Sequence, residues 1–458
     1  MFALGISDFS LGEGVYPAES LLRLARALGY RDLVIWDHSL AGYPKLREEL
    51  EWPRKARMLA GEAPDPDDDL RIHLGCRFTW RSHAYGALPF TDAGYAGLNK
   101  LLSEQAHARG EGEPPLDCTL LAENIAGLEA LLREGFHATL LAHPCRAQEA
   151  RLVLDRGLAV AAPQALRFRT PAGLELHRLK HAIHTQSTVP RTEPLWNARE
   201  AAVTRAEWEA RFPVCDDRVA RATAEILERI GAWSIHWGKW IETGPLGLKV
   251  SELDAVLRER VRAGILKRFG AFTGELESRL DKELELIHEK GFAGYFLLVQ
   301  DIVSHDGARR ICGRGSGAAS LVSYALELSN VDPVGTNLMF ERFLTRERTD
   351  PPDMDIDFAW DERNHVIQRV FERYGRDRVA MVANHNYYKP KGALRAVGMA
   401  FGRPESELKQ LARYARRWDG GMERAAQNPA WDEVLRWGEA LTGHFCQFSV
   451  HPGGTVIT

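Results

Sequence analysis

The 458-residue sequence predicts an α/β protein built from several domains, and three observations carry that expectation. Residues 1–195 alternate short apolar strands with helices, an order that gives sheets covered by helices. From residue 197 the pattern turns helical, with apolar side chains recurring at helical spacing among charges. Residues 313–358 then run from a glycine-rich turn to a stretch with the period of a strand. The length suits two or three domains with full cores, and 45% hydrophobic with 27% charged residues is the balance of a soluble globular chain.

Taken in order, a helix over 18–28 precedes the strand Leu33-Val34-Ile35-Trp36. The acidic run Pro64-Asp65-Pro66-Asp67-Asp68-Asp69 breaks two elements and reads as an exposed loop. Ile72-His73-Leu74-Gly75 reads as a strand, followed by a helix over 125–133 and strands over 139–142 and 158–161. Trp208, Phe212, Val219 and Ile226 mark helices between 197 and 240. Trp233, Trp237 and Trp240 have the chemistry to stack on bases, but read as packing at a domain junction. Helices over 253–269 and 280–289 lead to 291–299. Beyond Arg395 the run to residue 443 is helical and basic, with Leu408, Leu411, Tyr414 and Trp418 on one face.

The chemistry concentrates in 313–358. Gly313-Arg314-Gly315-Ser316-Gly317 can turn backbone N–H groups toward an anion, and Arg314 and Ser316 add donors. In Pro351-Pro352-Asp353-Met354-Asp355-Ile356-Asp357-Phe358 a period of two sets three aspartates on one face. Carboxylates so close repel unless a cation sits among them, and oxygen-only ligands suit Mg²⁺. Each piece alone has a plainer reading, a flexible turn and a solvated strand face. A calcium loop is excluded, because Met354 and Ile356 are apolar and neither the glycine nor the closing glutamate is present. Together the two pieces predict metal-assisted phosphoryl transfer.

The net charge of -4 hides an asymmetry: residues 363–417 hold thirteen Lys or Arg against four Asp or Glu, a segment suited to a polyanion such as DNA. Six scattered cysteines without paired spacing read as reduced thiols, neither a disulfide frame nor a zinc site. No apolar run reaches membrane-spanning length and Met1-Phe2-Ala3 opens no signal-peptide pattern, so a cytoplasmic protein without membrane contact is expected.

Gly313-Arg314-Gly315-Ser316-Gly317, Phe340-Glu341-Arg342-Phe343-Leu344 and the aspartate strand resemble, in wording and order, the palm of the bacterial C-family DNA polymerases, the family of the DNA polymerase III alpha subunit. The resemblance extends through Leu284-Glu285-Leu286-Ile287, Gly291-Phe292-Ala293-Gly294-Tyr295-Phe296-Leu297, Tyr374-Gly375-Arg376-Asp377, Lys391-Gly392-Ala393-Leu394-Arg395 and His451-Pro452-Gly453-Gly454. It implies a PHP-type (β/α) barrel over 1–195, linker helices and a polymerase-beta-like nucleotidyltransferase palm over 196–384, a helical thumb over 385–445, and a returning palm segment over 446–458. By the same resemblance Asp353 and Asp355 are the catalytic, Mg²⁺-binding carboxylates, and Asp357 is a third acid outside that pair. Gly315 and Ser316, with Arg314 and Arg342, would hold the incoming triphosphate. Lys391 and Arg395, one helical turn apart, would meet phosphates or the primer–template. The implied partners are primer–template DNA and deoxynucleoside triphosphates, with a C-terminal polymerase polypeptide or accessory repair proteins as further candidates.

The N-terminal part departs from the family pattern. Family histidines fall on Leu4 and Ile6, a glutamate near Cys76, and an Asn-Asp pair on Pro163-Gln164. Apolar side chains ligate no cation, which leaves Asp37, His38 and His143, and a structural domain without metal or 3′–5′ exonuclease activity is expected. That loss, with Tyr387-Tyr388-Lys389-Pro390, points to the error-prone branch. The family also carries a third catalytic aspartate beyond the His-Pro-Gly-Gly motif, whereas this sequence ends at Thr458, seven residues after His451. The expectation is therefore a polymerase part that extends primers poorly alone. The alternatives are a non-catalytic DNA- or nucleotide-binding remnant and, against the missing ligands, a PHP-type phosphoesterase.

Overall fold

The structure, a computed structural model, describes residues 1–63, 69–107, 112–211, 217–235, 246–304, 311–347, 354–414 and 428–457. Asp353, Phe212, Trp237, Trp240, Trp418, the side chain of Tyr414 and most of the acidic run lie outside the described residues. The chain divides into two compact units, Met1–Ile235 with His385–Ser449, and His236–Asn384 with Val450–Thr458.

The first unit opens with β1 (Ala3–Gly5), α1 (Ala18–Ala27), β2 (Asp32–Ile35), α2 (Gly42–Leu59) and β3 (Arg71–His73). It continues with β4 (Cys76–Trp80), β5 (His83–Pro89), α3 (Asp92–Ala106), β6 (Cys118–Ala122), α4 (Ile125–Arg133), β7 (Ala138–Leu141) and α5 (Ala147–Asp155). Then come β8 (Val160–Ala161), β9 (Gln164–Leu166), α6 (Pro171–His184), α7 (Arg205–Ala210) and α8 (Asp217–Gly231). Three helices start on the same device: Thr91, Asn124 and Thr170 accept the N–H of Gly94, Gly127 and Gly173, each cap stabilising by about 1 kcal/mol.

The strands make two sheets, a parallel one in the order β3-β2-β1-β9 and a mixed one in the order β4-β5-β6-β7-β8. Leu4, Ile6, Val34 and Trp36 of the first meet Leu88, Leu121 and Ala161 of the second in one apolar core, completed by Ile226 and Ile230 of α8. A closed barrel was expected; among the described residues the sheets touch at one bridge, Asp37 with Cys76, and stay open between β8 and β9. The reason is local. The N–H of Ala162 is taken by the Thr223 hydroxyl (3.2 Å) and its C=O by the Trp208 indole (3.0 Å), so no strand can pair there.

The second unit begins with α9 (Val250–Phe269), α10 (Gly274–Glu289) and α11 (Ala293–Ser304). Next are β10 (Ile311–Gly313), a 3-10 turn over Gly315–Ala319, α12 (Leu321–Ala325) and a 3-10 turn over Phe340–Arg342. β11 (Ile356–Phe358), α13 (Arg363–Tyr374) and β12 (Val379–Tyr387) follow. Leu257, Val261 and Ile265 of α9 pack with Leu280, Leu284 and Ile287 of α10 and with Phe296, Leu321 and Phe343 in one core. That stripe is the helical spacing visible in the sequence.

The chain then returns to the first unit with α14 (Pro390–Ala400), α15 (Glu405–Tyr414) and α16 (Asp432–Leu441). Their side chains Leu394, Val397, Leu411, Val434 and Leu441 pack on Leu179 and Ala182 of α6. β13 (Phe445–Ile457) pairs with β12, and both strands run through the division between the units. Among the described residues no helix is long and apolar enough to cross a membrane.

Candidate functional site

β10 and β11 pair antiparallel, with Gly313 opposite Ile356 and Cys312 opposite Asp357. The ladder is extended by the Arg314 N–H, which donates to the Asp355 carbonyl at 2.8 Å. Gly313 must be glycine: a Cβ there would come within 2.3 Å of the Leu328 carbonyl oxygen. Gly315 turns the chain with φ +65°, and a Cβ on it would lie 3.1 Å from Asp355 Oδ2. The turn and this carboxylate thus share one face, and no side chain stands between them.

Asp355 and Asp357 are exposed, while Met354, Ile356 and Phe358 pack against the core, as the period of two requires. Arg314 Nε sits 2.6 Å from Asp357 Oδ2, so the third acid, outside the expected catalytic pair, has a definite partner. Ser316 is exposed on the same turn. The crevice behind the turn, lined by Gly313, Gly317, Leu328 and Ile356 among others, holds about 10 Å³. That is room for one water, so an anion as large as a triphosphate would lie on the outer face.

Arg342 projects from its 3-10 turn into solvent, and among the described residues its guanidinium has no hydrogen bond or ion pair. Behind these elements stands Glu283, a fully buried carboxylate that burial pushes above its ordinary range. It was missed from sequence, although α10's apolar stripe passes through its position. A charged residue between Leu280 and Leu284 on that face signals a buried polar contact. Lys391 and Arg395 belong to the first unit, on the exposed face of α14, with Arg395 3.1 Å from Glu405. The structure therefore joins Arg314, Gly315, Ser316 and Asp355 in one place, with Arg342 in the same unit.

Residues 255–458 match the family of the bacterial DNA polymerase III alpha NTPase domain. The chain is 31% identical over 490 residues to an error-prone DNA polymerase of Pseudomonas aeruginosa, an alignment covering 99% of this chain and 46% of that protein. To the error-prone DNA polymerase of Pseudomonas fluorescens it is 32% identical, with 99% and 46% covered. Over residues 255–458 by the family match, and over nearly its whole length by these relatives, the chain is similar to the bacterial C-family DNA polymerases. An error-prone DNA polymerase of Bordetella parapertussis is 29% identical over 99% of the chain and 47% of its own length, so the chain spans about half the length of these relatives.

The strand ends of the first unit carry charge pairs. Leu4 and Ile6, where the resemblance led us to expect histidines, are buried in the apolar core. Arg77, only 7% exposed, reaches Glu13 (2.5 Å), Glu123 (2.9 Å) and His38 (3.2 Å). Burial would raise the Glu13 carboxyl, but the His38 hydrogen bond and the Arg77 charge hold it at about 2. Of the three candidate ligands, His38 is bound to Glu13 (3.0 Å) and His143 lies 3.8 Å from Glu200. Asp37 accepts from the Ser7 N–H (2.8 Å), the Ser7 hydroxyl and the Ser10 hydroxyl (2.7 Å). Among the described residues no group of three or more His, Cys, Asp or Glu could hold a metal ion.

Burial pushes Asp37 up to about 6, with the Ser7 and Ser10 hydrogen bonds pulling the other way. The folded protein therefore binds this proton more tightly than the unfolded chain, and stability falls as pH rises from about 4 to about 6. Asp37→Asn removes that titration. Between pH 5 and pH 7 the variant should gain about 1 kcal/mol on the unaltered protein in urea unfolding. A difference that does not move with pH would refute the shift.

Proposed function

We propose that this chain carries the nucleotide- and metal-binding side of a polymerase site for template-directed DNA synthesis, of the error-prone kind its relatives are named for. One observation carries the reading: the exposed Asp355 carboxylate lies against the positive-φ turn at Gly315, so metal ligand and phosphate donors share a face. In this reading residues 1–195 are a PHP-type domain, 196–384 linker helices and a polymerase-beta-like palm to which 446–458 return, and 385–445 a thumb.

The donor chemistry fits Mg²⁺, because Asp355 presents hard carboxylate oxygens in solvent and Asp353 would add a second carboxylate. Bound Mg²⁺ would neutralise phosphate charge and lower the pKa of the attacking hydroxyl. The chain's own residues do the rest. Gly315 and Ser316 offer donors to the triphosphate, Arg314 and Arg342 place guanidinium forks on its oxygens, and Lys391 and Arg395 meet phosphates or primer–template DNA. The primer 3′-hydroxyl forms a bond to the α-phosphorus as pyrophosphate leaves, in line with the orientation such a cradle sets.

The test is primer extension on a gapped template with Mg²⁺ and four deoxynucleotides, run beside a titration of dATP·Mg²⁺ binding. Extension that Asp353→Ala with Asp355→Ala abolishes supports the reading. Nucleotide and template binding without extension fits a polymerase part that extends poorly alone; failure of any C-terminal polymerase polypeptide to restore extension then moves the chain to the non-catalytic alternative, and binding of neither nucleotide nor template ends both.

A further inference from the structure

Helix α10 faces both phosphate-side elements of the second unit with an ion pair whose carboxylate, Glu283, is fully buried and whose guanidinium, Arg279, is partly buried. Glu283 Oε1 accepts the Leu321 N–H (3.0 Å) and Arg279 Nε (3.2 Å), while Oε2 accepts the Ser320 hydroxyl (2.9 Å) and the Val322 N–H (3.1 Å). These backbone groups follow directly on the Gly315–Ala319 turn. One turn of helix earlier, Arg279 Nη2 donates to the Ala319 carbonyl (2.9 Å) and to the Leu338 carbonyl (2.7 Å). Leu338 stands just before the Phe340–Arg342 turn, and Glu341 on that turn pairs with Lys282 of α10. A single guanidinium nitrogen thus links the glycine turn to the turn of Arg342, two segments distant in sequence.

Stability alone does not call for a charged Glu283 at this buried position. Apolar side chains of equal volume hold a core as well as a buried ion pair, or better, because charges lose hydration on burial. What apolar groups cannot do is fix backbone carbonyls and N–H groups in direction. Here the fixed groups belong to the loops that present Gly315, Ser316 and Arg342, and a cradle ordered in advance avoids ordering on binding.

We infer that Arg279 and Glu283 are positioning residues of the phosphate cradle, holding the Gly315–Ser316 turn and the Arg342 turn at one spacing for an incoming nucleoside triphosphate. The inference rests on the nucleotide-binding reading above. Neither residue touches the nucleotide; both act through the backbone they clamp.

Arg279→Lys tests it, since lysine keeps the charge beside Glu283 but cannot reach two carbonyls and a carboxylate with one planar fork. Two readouts are taken: amide hydrogen exchange without nucleotide, and dATP·Mg²⁺ affinity. Exchange at Leu321 and Val322 and at Phe343 and Leu344 should rise together by about tenfold, and affinity should fall by about tenfold. Glu283→Gln, which keeps shape and loses charge, should do the same. Exchange that rises in one segment only, or affinity unchanged while both loosen, overturns the inference. Failure of the unaltered chain to bind dATP·Mg²⁺ removes the nucleotide reading and the cradle role with it, and the exchange data separate the two failures by showing whether the clamp itself exists.

Discussion

Arg77→Ala should lower the free energy of unfolding by about 3 kcal/mol or more, the scale seen when one member of a buried ion network is removed. Arg77 is 7% exposed and lies between Glu13 and Glu123, which are 17% and 25% exposed. Without the guanidinium, two half-desolvated carboxylates lose their direct partner and keep His38 beside Glu13 and the more distant charge of Arg167. The low Glu13 value of about 2 depends in part on Arg77, so the variant should also hold a proton on Glu13 at higher pH. Arg77→Lys keeps the charge but not the fork, and should fall between the two. Urea unfolding at pH 7 measures all three. A loss under about 1 kcal/mol would mean that water, not Arg77, balances these acids.

Asp355→Asn should cost nucleotidyl transfer at least about a thousandfold, roughly 4 kcal/mol of transition-state stabilisation. The substitution leaves the fold alone, because the Arg314 N–H bonds the backbone carbonyl of Asp355, and an amide fits beside Gly315 as a carboxylate does. Only the charge goes. Single-turnover primer extension measures the rate, and a titration of Mg²⁺-dependent dATP binding measures the same loss at equilibrium. Extension at an unaltered rate would show that Asp355 holds no catalytic metal.

The parts of this site that could be read in the sequence are those made by neighbours in the chain. A period of two put Asp355 and Asp357 on one exposed face, and glycine spacing located the turn beside them. The helices over 125–133 and 253–269 were legible for the same reason, an apolar repeat complete within one element. Glu283 and Arg279 act on carbonyls and N–H groups about forty to sixty residues away, which no local pattern encodes. The hairpin of β4 and β5 was missed for another reason. Its turn places Arg81 and Ser82 at φ 48° and 63°, positions that usually announce themselves as Asn-Gly. The open gap after β8 was equally hidden, since it depends on Trp208 and Thr223, residues that read as ordinary helix-face positions.

Because one indole and one hydroxyl take the backbone groups of Ala162, the open edge after β8 is satisfied by side chains 46 and 61 residues further along. A neighbouring strand satisfies backbone groups whatever its sequence; here the identities of two side chains matter. Any shorter piece of the chain that stops before Trp208 would carry Ala162 as a bare edge, a template for strands of other molecules. The helices after residue 195 therefore act toward these sheets as a stopper does toward a flask, decisive for what stays out.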